Sequence, residues 1–166
     1  MSVEPVTAYF GLGSNMGNRQ QNLDLALDLL SHRLKMGRIS SMYETDPQDN
    51  ADQPRFLNLV CRVDTRLDPE ALLVVTKGIE RKLGRKPKTS NLPRPIDIDI
   101  LFYGEQVIKT RDLLIPHPKL TERAFVLIPL VEIAPDLVHP KSGQPVREIL
   151  EGITEKQGIF RWDNNK

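Results

Sequence analysis

The run Ile96-Asp97-Ile98-Asp99-Ile100 alternates apolar and acidic side chains, and strict alternation is the period of a strand with one buried face. Asp97 and Asp99 then point the same way, about 7 Å apart along the backbone, while the three isoleucines fill the opposite face. A strand with one apolar and one polar face suits an antiparallel sheet. Two carboxylates side by side repel each other and are costly to bury. Either they lie on a half-exposed polar face or a hard cation resolves the conflict. Magnesium does so with one or two carboxylates plus waters and substrate phosphates. The strand alone leaves both readings open.

The flanking segments supply the rest of a sheet. Thr7 to Leu12 reads as a strand that stops at a polar turn, Gly13-Ser14-Asn15-Met16-Gly17-Asn18. A helix follows, with Leu23, Ala26, Leu27, Leu30 and Leu34 on one face and Gly37 as its stop. Ile39 to Glu44 and Leu57 to Thr65 are strands, and Thr45 to Arg55 between them has the turn chemistry of a long, mobile loop. Asp68-Pro69-Glu70 starts a second helix, with a capping acid, proline at the first helical position and an acid in the first turn; Gly84 ends it. Ile96 to Tyr103 is the next strand, and Gly104-Glu105 turns it toward Val107-Ile108.

That order predicts an α+β fold, a ferredoxin-like β-α-β-β-α-β antiparallel sheet with the two helices on one face. The last third forms a C-terminal extension. Ile115-Pro116-His117-Pro118 is extended, because residues before proline avoid the helical region. Ala124 to Ile133 is partly helical with Pro129 beginning the helical turn, Val146 to Leu150 is a short helix, and Ile159 to Trp162 is a final edge strand. With no repeat, linker or low-complexity segment, residues 1–166 read as one domain.

Bulk properties narrow the class. A net charge of +1 argues against a nucleic-acid partner, since such binders carry a clear basic excess. Cys61 is the only cysteine, so no internal disulfide forms. There is no signal-peptide pattern and no apolar run near the ~20 residues of a membrane span. These point to a reducing, cytoplasmic setting without a membrane partner.

Charge is concentrated in one place. Between Lys77 and Arg94 lie seven basic residues and a single acid, Glu80. By itself this is a solvated helix end and loop. Feeding directly into a paired-acid strand, it is what a metal–triphosphate complex needs: metal on the acids, guanidinium groups on the phosphates. Phosphoryl transfer asks for positioning and charge neutralisation more than for a covalent nucleophile. His117 and Arg123 offer further donors, and Phe56, Asn58 and Phe125 supply aromatic and polar groups that core packing would also explain. Gly11-Leu12-Gly13 is followed by Met16 where a dinucleotide fingerprint needs glycine, and no phosphate loop of the G-x-x-x-x-G-K-[ST] kind occurs. Those glycines stay open between tight backbone geometry and a ligand role.

Several motifs, in order and along nearly the whole chain, carry a resemblance. They are Gly11-Leu12-Gly13-Ser14-Asn15, Tyr43-Glu44-Thr45 with Gln53-Pro54-Arg55-Phe56-Leu57-Asn58, and Ile79-Glu80 through Gly84-Arg85. They continue with Pro93-Arg94-Pro95-Ile96-Asp97-Ile98-Asp99-Ile100-Leu101, then Ile115-Pro116-His117-Pro118 and Glu122-Arg123-Ala124-Phe125. The chain resembles the 6-hydroxymethyl-7,8-dihydropterin pyrophosphokinases of folate biosynthesis. The resemblance implies a monomer that moves the terminal pyrophosphate of ATP onto the hydroxymethyl group of a reduced pterin, releasing AMP. By position, Asp97 and Asp99 would bind two magnesium ions, with ATP as co-substrate. Arg94 and Arg85 would stabilise charge on the transferred group. His117 and Arg123 would contact phosphates, and Lys77, Glu80 and Ile100 would lie in the ATP site. Phe56 and Phe125 would sandwich the pterin, with Asn58, Thr45 and Pro47 at its edge. Asn91-Leu92-Pro93-Arg94-Pro95 stands where the family usually has Trp-Gly-Pro-Arg-Thr, so loop closure would rest on other groups.

Two rivals make different demands. A nucleotidyltransferase needs its Gly-Ser turn close to its Asp-x-Asp strand, and here Ser14 and Asp97 are far apart. An RNA-recognition domain needs aromatics on its central strands, which here carry Leu, Cys, Ile and Asp.

Overall fold

The computed structural model describes residues 4–46, 53–86, 92–154 and 158–162. The chain runs β1 (Val6–Ser14), α1 (Arg19–Ser31), β2 (Lys35–Ile39), β3 (Tyr43–Thr45), β4 (Phe56–Thr65), α2 (Pro69–Lys82) and β5 (Asp97–Tyr103). It continues with β6 (Ile108–Lys109), β7 (Leu114–Ile115), α3 (Ala124–Ile133), α4 (Val146–Glu151) and β8 (Ile159–Arg161). The main sheet has the order β5-β1-β4-β3-β8, with β2 also on β4; every pairing is antiparallel. A small ribbon joins β6 and β7. The fold is α+β, an antiparallel sheet with helices packed on it.

Period-two alternation decides which residues meet which helices. Ala8, Phe10 and Leu12 of β1, Leu57, Leu59, Cys61 and Val63 of β4, and Ile98 and Ile100 of β5 share one core with Leu23, Ala26 and Leu30 of α1 and Leu72, Val75 and Ile79 of α2. On the other face Tyr9, Val60, Leu101 and Phe102 pack with Leu127, Leu130 and Ile133 of α3 and Val146 and Ile149 of α4. Exposing that second face would cost about 2 kcal/mol for each large apolar side chain. The sheet is therefore a middle layer, and the C-terminal helices complete the core.

Most local signals act as read. Asp68 caps α2, its side chain accepting from Ala71 N–H at 2.8 Å, and Gly84 follows with φ +98°. Asn18 caps α1 by accepting from Gln21 N–H. Four boundaries differ from expectation. Strand β1 continues through Ser14, because Gly13 and Ser14 pair with Asn58 and Leu57. Helix α1 ends at Ser31, and Gly37 lies inside β2, where a Cβ would press on the Arg62 side chain and carbonyl at 3.2–3.3 Å. The strand expected over Ile39 to Glu44 is split into β2 and β3, both paired with β4. Pro129 lies in the interior of α3, which begins at Ala124. Residues 47–52 of the long loop and 87–91 of the basic segment, including Pro47 and Lys88, lie outside the described residues.

Candidate active site

Helices α3 and α4 cover only part of the second sheet face. Beyond them the face is opened by two glycines. Gly11 pairs with Asp99 on one side and Val60 on the other; Gly13 pairs with Asp97 and Asn58. Having no side chains, they leave a floor between the acids of β5 and the polar and aromatic residues of β4. A Cβ at Gly13 would stand 2.6 Å from Asn58 Oδ1 and 3.4 Å from Phe56. The glycines are thus neither a turn nor a dinucleotide loop. They are mid-strand gaps in a cleft wall. Glycines two apart in a strand-forming segment were the available sign, because that spacing empties a single face.

One cleft gathers Arg94, Asp97, Asp99, His117 and Arg123 with Thr45, Phe56, Asn58 and Phe125. Thr45 and Asn58 are 13 positions apart in sequence, yet Asn58 Nδ2 donates to Thr45 Oγ1 at 2.7 Å. The Arg94 guanidinium lies over the Phe56 ring at 4.9 Å, and Arg123 over Phe125 at 5.5 Å. The cation-bearing and aromatic ends are therefore continuous. Asp46 and Gln53 also line this cleft. So do Leu101 and Leu120.

The two aspartates have different surroundings. Asp97 meets Arg85 at 2.6 Å and Arg94 at 3.6 Å. Among the described residues Asp99 has no such cation; its nearest basic group is His117 Nε2 at 4.0 Å. Burial and then the Asp97 carboxylate push the Asp99 pKa up from the ordinary carboxylate value. Its side chain keeps 38% of its surface exposed, so water still reaches the carboxylate and offsets part of that desolvation. Burial, with Arg123 beside it, brings His117 down to about 4. The His117–Asp99 approach is consequently no ion pair at neutral pH. His117 Nδ1 accepts from Lys119 N–H at 3.2 Å, which leaves Nε2 as the protonated nitrogen facing the cleft.

Glu80 is only 3% exposed. It accepts from Ile98 N–H at 2.7 Å and pairs with Arg85 at 3.2 Å and Lys77 at 3.4 Å. It fastens α2 to β5 and holds Arg85 against Asp97 from behind the cleft wall. Desolvation raises its pKa against the pull of Ile98 N–H, Lys77 and Arg85. The Ile100 side chain lies in the core beneath the helices, on the face away from Asp97 and Asp99. Lys77, Glu80, Arg85 and Ile100 therefore do not line the cleft with the other candidates.

Asn15 is a residue whose role in the site composition did not reveal. It is 2% exposed, its Oδ1 accepts from Arg94 N–H at 2.8 Å, and its Nδ2 donates to Gln53 Oε1 at 2.9 Å. A short polar side chain at the end of a strand is common, and only the fold brings residues 53 and 94 to it.

A family model described as 7,8-dihydro-6-hydroxymethylpterin-pyrophosphokinase matches residues 9–135. A 2-amino-4-hydroxy-6-hydroxymethyldihydropteridine pyrophosphokinase of Aquifex aeolicus is 42% identical over 142 residues, 86% of this chain and 89% of that protein. The Bacillus subtilis protein of the same name is 39% identical over 157 residues, 93% of this chain and 89% of that one. The folic acid synthesis protein fol1 of Pneumocystis carinii is 43% identical over 155 residues, 93% of this chain, which spans only 21% of that longer protein. In structure, wild-type HPPK-DHPS of Plasmodium falciparum superposes with a TM-score of 0.74 at 21% identity, over 90% of this chain and 45% of that one, a likeness of fold. The matched residues run from the second half of β1 through α3 and take in both aspartates, the cleft glycines and the flanking aromatics: the chain belongs to the 7,8-dihydro-6-hydroxymethylpterin-pyrophosphokinase family.

Proposed function

We propose that this chain catalyses magnesium-dependent transfer of the terminal pyrophosphate of ATP to the hydroxymethyl group of 6-hydroxymethyl-7,8-dihydropterin, releasing AMP, as a step of folate synthesis. The observation that carries the reading is one cleft with paired acids and cations at one end and an aromatic, amide-rimmed slot at the other. The names of the Aquifex and Bacillus relatives agree with it. The strand order β5-β1-β4 followed by β2 and β3 supports the ferredoxin-like arrangement, with the C-terminal segment added to it.

The donor set fits a divalent cation. Asp97 and Asp99 offer hard oxygens from one face of the cleft, and burial together with the Asp97 carboxylate raises the Asp99 pKa, a cost that a bound cation would relieve. Among the described residues no third carboxylate, histidine or cysteine completes a protein cage, as suits magnesium, which keeps waters and phosphate oxygens. Bound there, two such ions would neutralise phosphate charge and hold the polyphosphate in place.

The chain's own groups do the rest. Phe56 and Phe125 stack the flat pterin, and the Asn58–Thr45 pair meets its polar edge. This orientation sets the substrate hydroxyl toward the β-phosphorus of ATP. The new P–O bond forms there as the bond to the AMP-bridging oxygen breaks; AMP leaves with that oxygen, and the hydroxyl proton passes to solvent water. Arg94, in the cleft, stabilises charge on the transferred group, and Arg85 contributes from behind the wall through the Asp97 carboxylate it pairs with. Neutral His117 donates through Nε2–H, and Arg123 adds a second donor to the phosphates. Lys77 and Glu80 serve the nucleotide side through Arg85. The protein acts on small molecules as a cytoplasmic monomer.

The test is product analysis. Wild-type protein with ATP, magnesium and hydroxymethyldihydropterin forms AMP and the pterin diphosphate; Asp97→Ala and Asp99→Ala lose turnover while keeping the wild-type circular dichroism. Pyrophosphate release instead of AMP, or turnover retained in both variants, sinks the reading.

A further inference from the structure

The family match ends at residue 135, yet strand β8 (Ile159–Arg161) returns to the main sheet beside β3. Thr45 pairs with Ile159, Glu44 with Phe160 and Tyr43 with Arg161. The ladder is extended at both ends. Asp46 N–H donates to the Gly158 carbonyl at 3.0 Å, and Trp162 N–H donates to the Met42 carbonyl at 2.8 Å. Thr45 and Asp46 line the cleft where Asn58 and Phe56 do.

Side chains fasten the strand on its outer side. Trp162 Nε1 donates to Gln20 Oε1 at 3.2 Å, and Arg19 lies over the Trp162 ring at 5.2 Å. The same Arg19 meets Glu44 at 2.7 Å. Arg55 pairs with Asp46 at 2.9 Å and lies over the Phe160 ring at 5.7 Å. Through Arg19, strand β8 is tied to the first residue of α1, a rigid part of the frame. Gly158 has φ +78°, a conformation that side chains disfavour. A Cβ there would also collide with the Asp46 carboxylate, reaching its Cγ at 2.9 Å.

We propose that β8 is a positioning element for the pterin end of the cleft: Gly158 and Trp162 latch β3 from outside, hold Thr45 against Asn58 and keep Asp46 in the cleft wall. Strand β3 is three residues long, and without β8 it would be a bare edge strand, prone to fraying. The latch touches neither the aspartates nor the arginines of the nucleotide end. Its loss therefore acts on one substrate and spares the other. The assignment of that substrate rests on the proposed pyrophosphoryl transfer.

Gly158→Ala and Trp162→Ala in the full chain test this, with hydrogen exchange and steady-state kinetics on both. Exchange is expected to accelerate at residues 43–46 while β1 and the centre of β4 keep wild-type protection. The KM for the pterin rises roughly tenfold, the size of one lost hydrogen bond with added strain. The KM for ATP and kcat stay within about twofold. A general loss of folding would lower the apparent kcat and speed exchange throughout the sheet, and that result overturns the latch. Unchanged exchange at residues 43–46 in both variants overturns it as well. Phe160→Ala leaves the backbone ladder in place and removes only the Arg55 stacking, so it gives a smaller pterin KM effect than Gly158→Ala; an equal or larger one contradicts the backbone latch. Wild-type protein that forms no AMP sinks the pyrophosphoryl-transfer reading, and the exchange comparison still decides whether β8 holds β3.

Discussion

Gly13 carries a consequence out of proportion to its size. Its neighbours leave no room for a methyl group, because Asn58 Oδ1 lies 2.6 Å from where a Cβ would stand. Gly13→Ala must displace the Asn58 amide and with it the 2.7 Å bond to Thr45. We expect a loss of about 1–3 kcal/mol of stability from overpacking and a higher pterin KM, measured by urea denaturation and initial rates. An alanine variant with wild-type pterin KM would mean that Asn58 does not meet the substrate. Arg94→Ala acts on the other end of the cleft. It is expected to lower kcat by at least roughly a hundredfold with a smaller change in nucleotide binding, the pattern of an interaction made mainly in the transition state. Stopped-flow single-turnover rates beside nucleotide-analogue titration would check it. At this scale the aspartates were readable, because period two needs only the sequence. Gln53 and Asn15 were not, since their partnership exists only once residues far apart are folded together.

Helix α3 is bound to the sheet edge by one carboxylate. Glu132 accepts from Ser41 N–H at 2.9 Å, Ser41 Oγ at 3.0 Å and Tyr43 OH at 2.6 Å. Burial pushes its pKa up, but the Tyr43 and Ser41 hydrogen bonds outweigh that and hold it below the ordinary value. Burial, and then the same contact with Glu132, push Tyr43 up to about 12. A carboxylate depressed in the folded state stabilises above its unfolded pKa, and that contribution fades as pH falls through the folded pKa. Glu132→Gln is thus expected to lose roughly 1 kcal/mol at neutral pH, with the difference from wild type shrinking below about pH 4. Urea melts across that range measure it; a constant difference would deny the linkage. Among the elements, α2 was legible because its cap, proline and apolar spacing agree. Strand β2 was not, because Lys35–Ile39 is mostly exposed and takes its conformation from pairing with β4 rather than from its own pattern.

Across the whole molecule, while Phe56 and Asn58 of the central strand β4 line the cleft, the middle of that strand is covered on both faces, by α1 and α2 on one and by α3 and α4 on the other. Cys61 sits there with 0% exposure, under α1 and α2. Burial pushes its thiol up to about 12, and only the thiolate reacts readily. Thiol labelling is therefore expected to require opening of the sheet, so that its rate follows global unfolding in a urea series. Fast labelling of the native protein would contradict this core. Local chemistry along the chain determined the alternating acids, the capped second helix and the α+β order of elements, because strand period, helix caps and turn residues act over a few residues. Tertiary structure alone decided that the sheet is a middle layer, that α3 and α4 cover only part of its second face, and that Gly11 and Gly13 open the uncovered part. Those outcomes depend on which strands pair and which faces then remain exposed. Such contacts join residues far apart in the chain, and no local pattern encodes them.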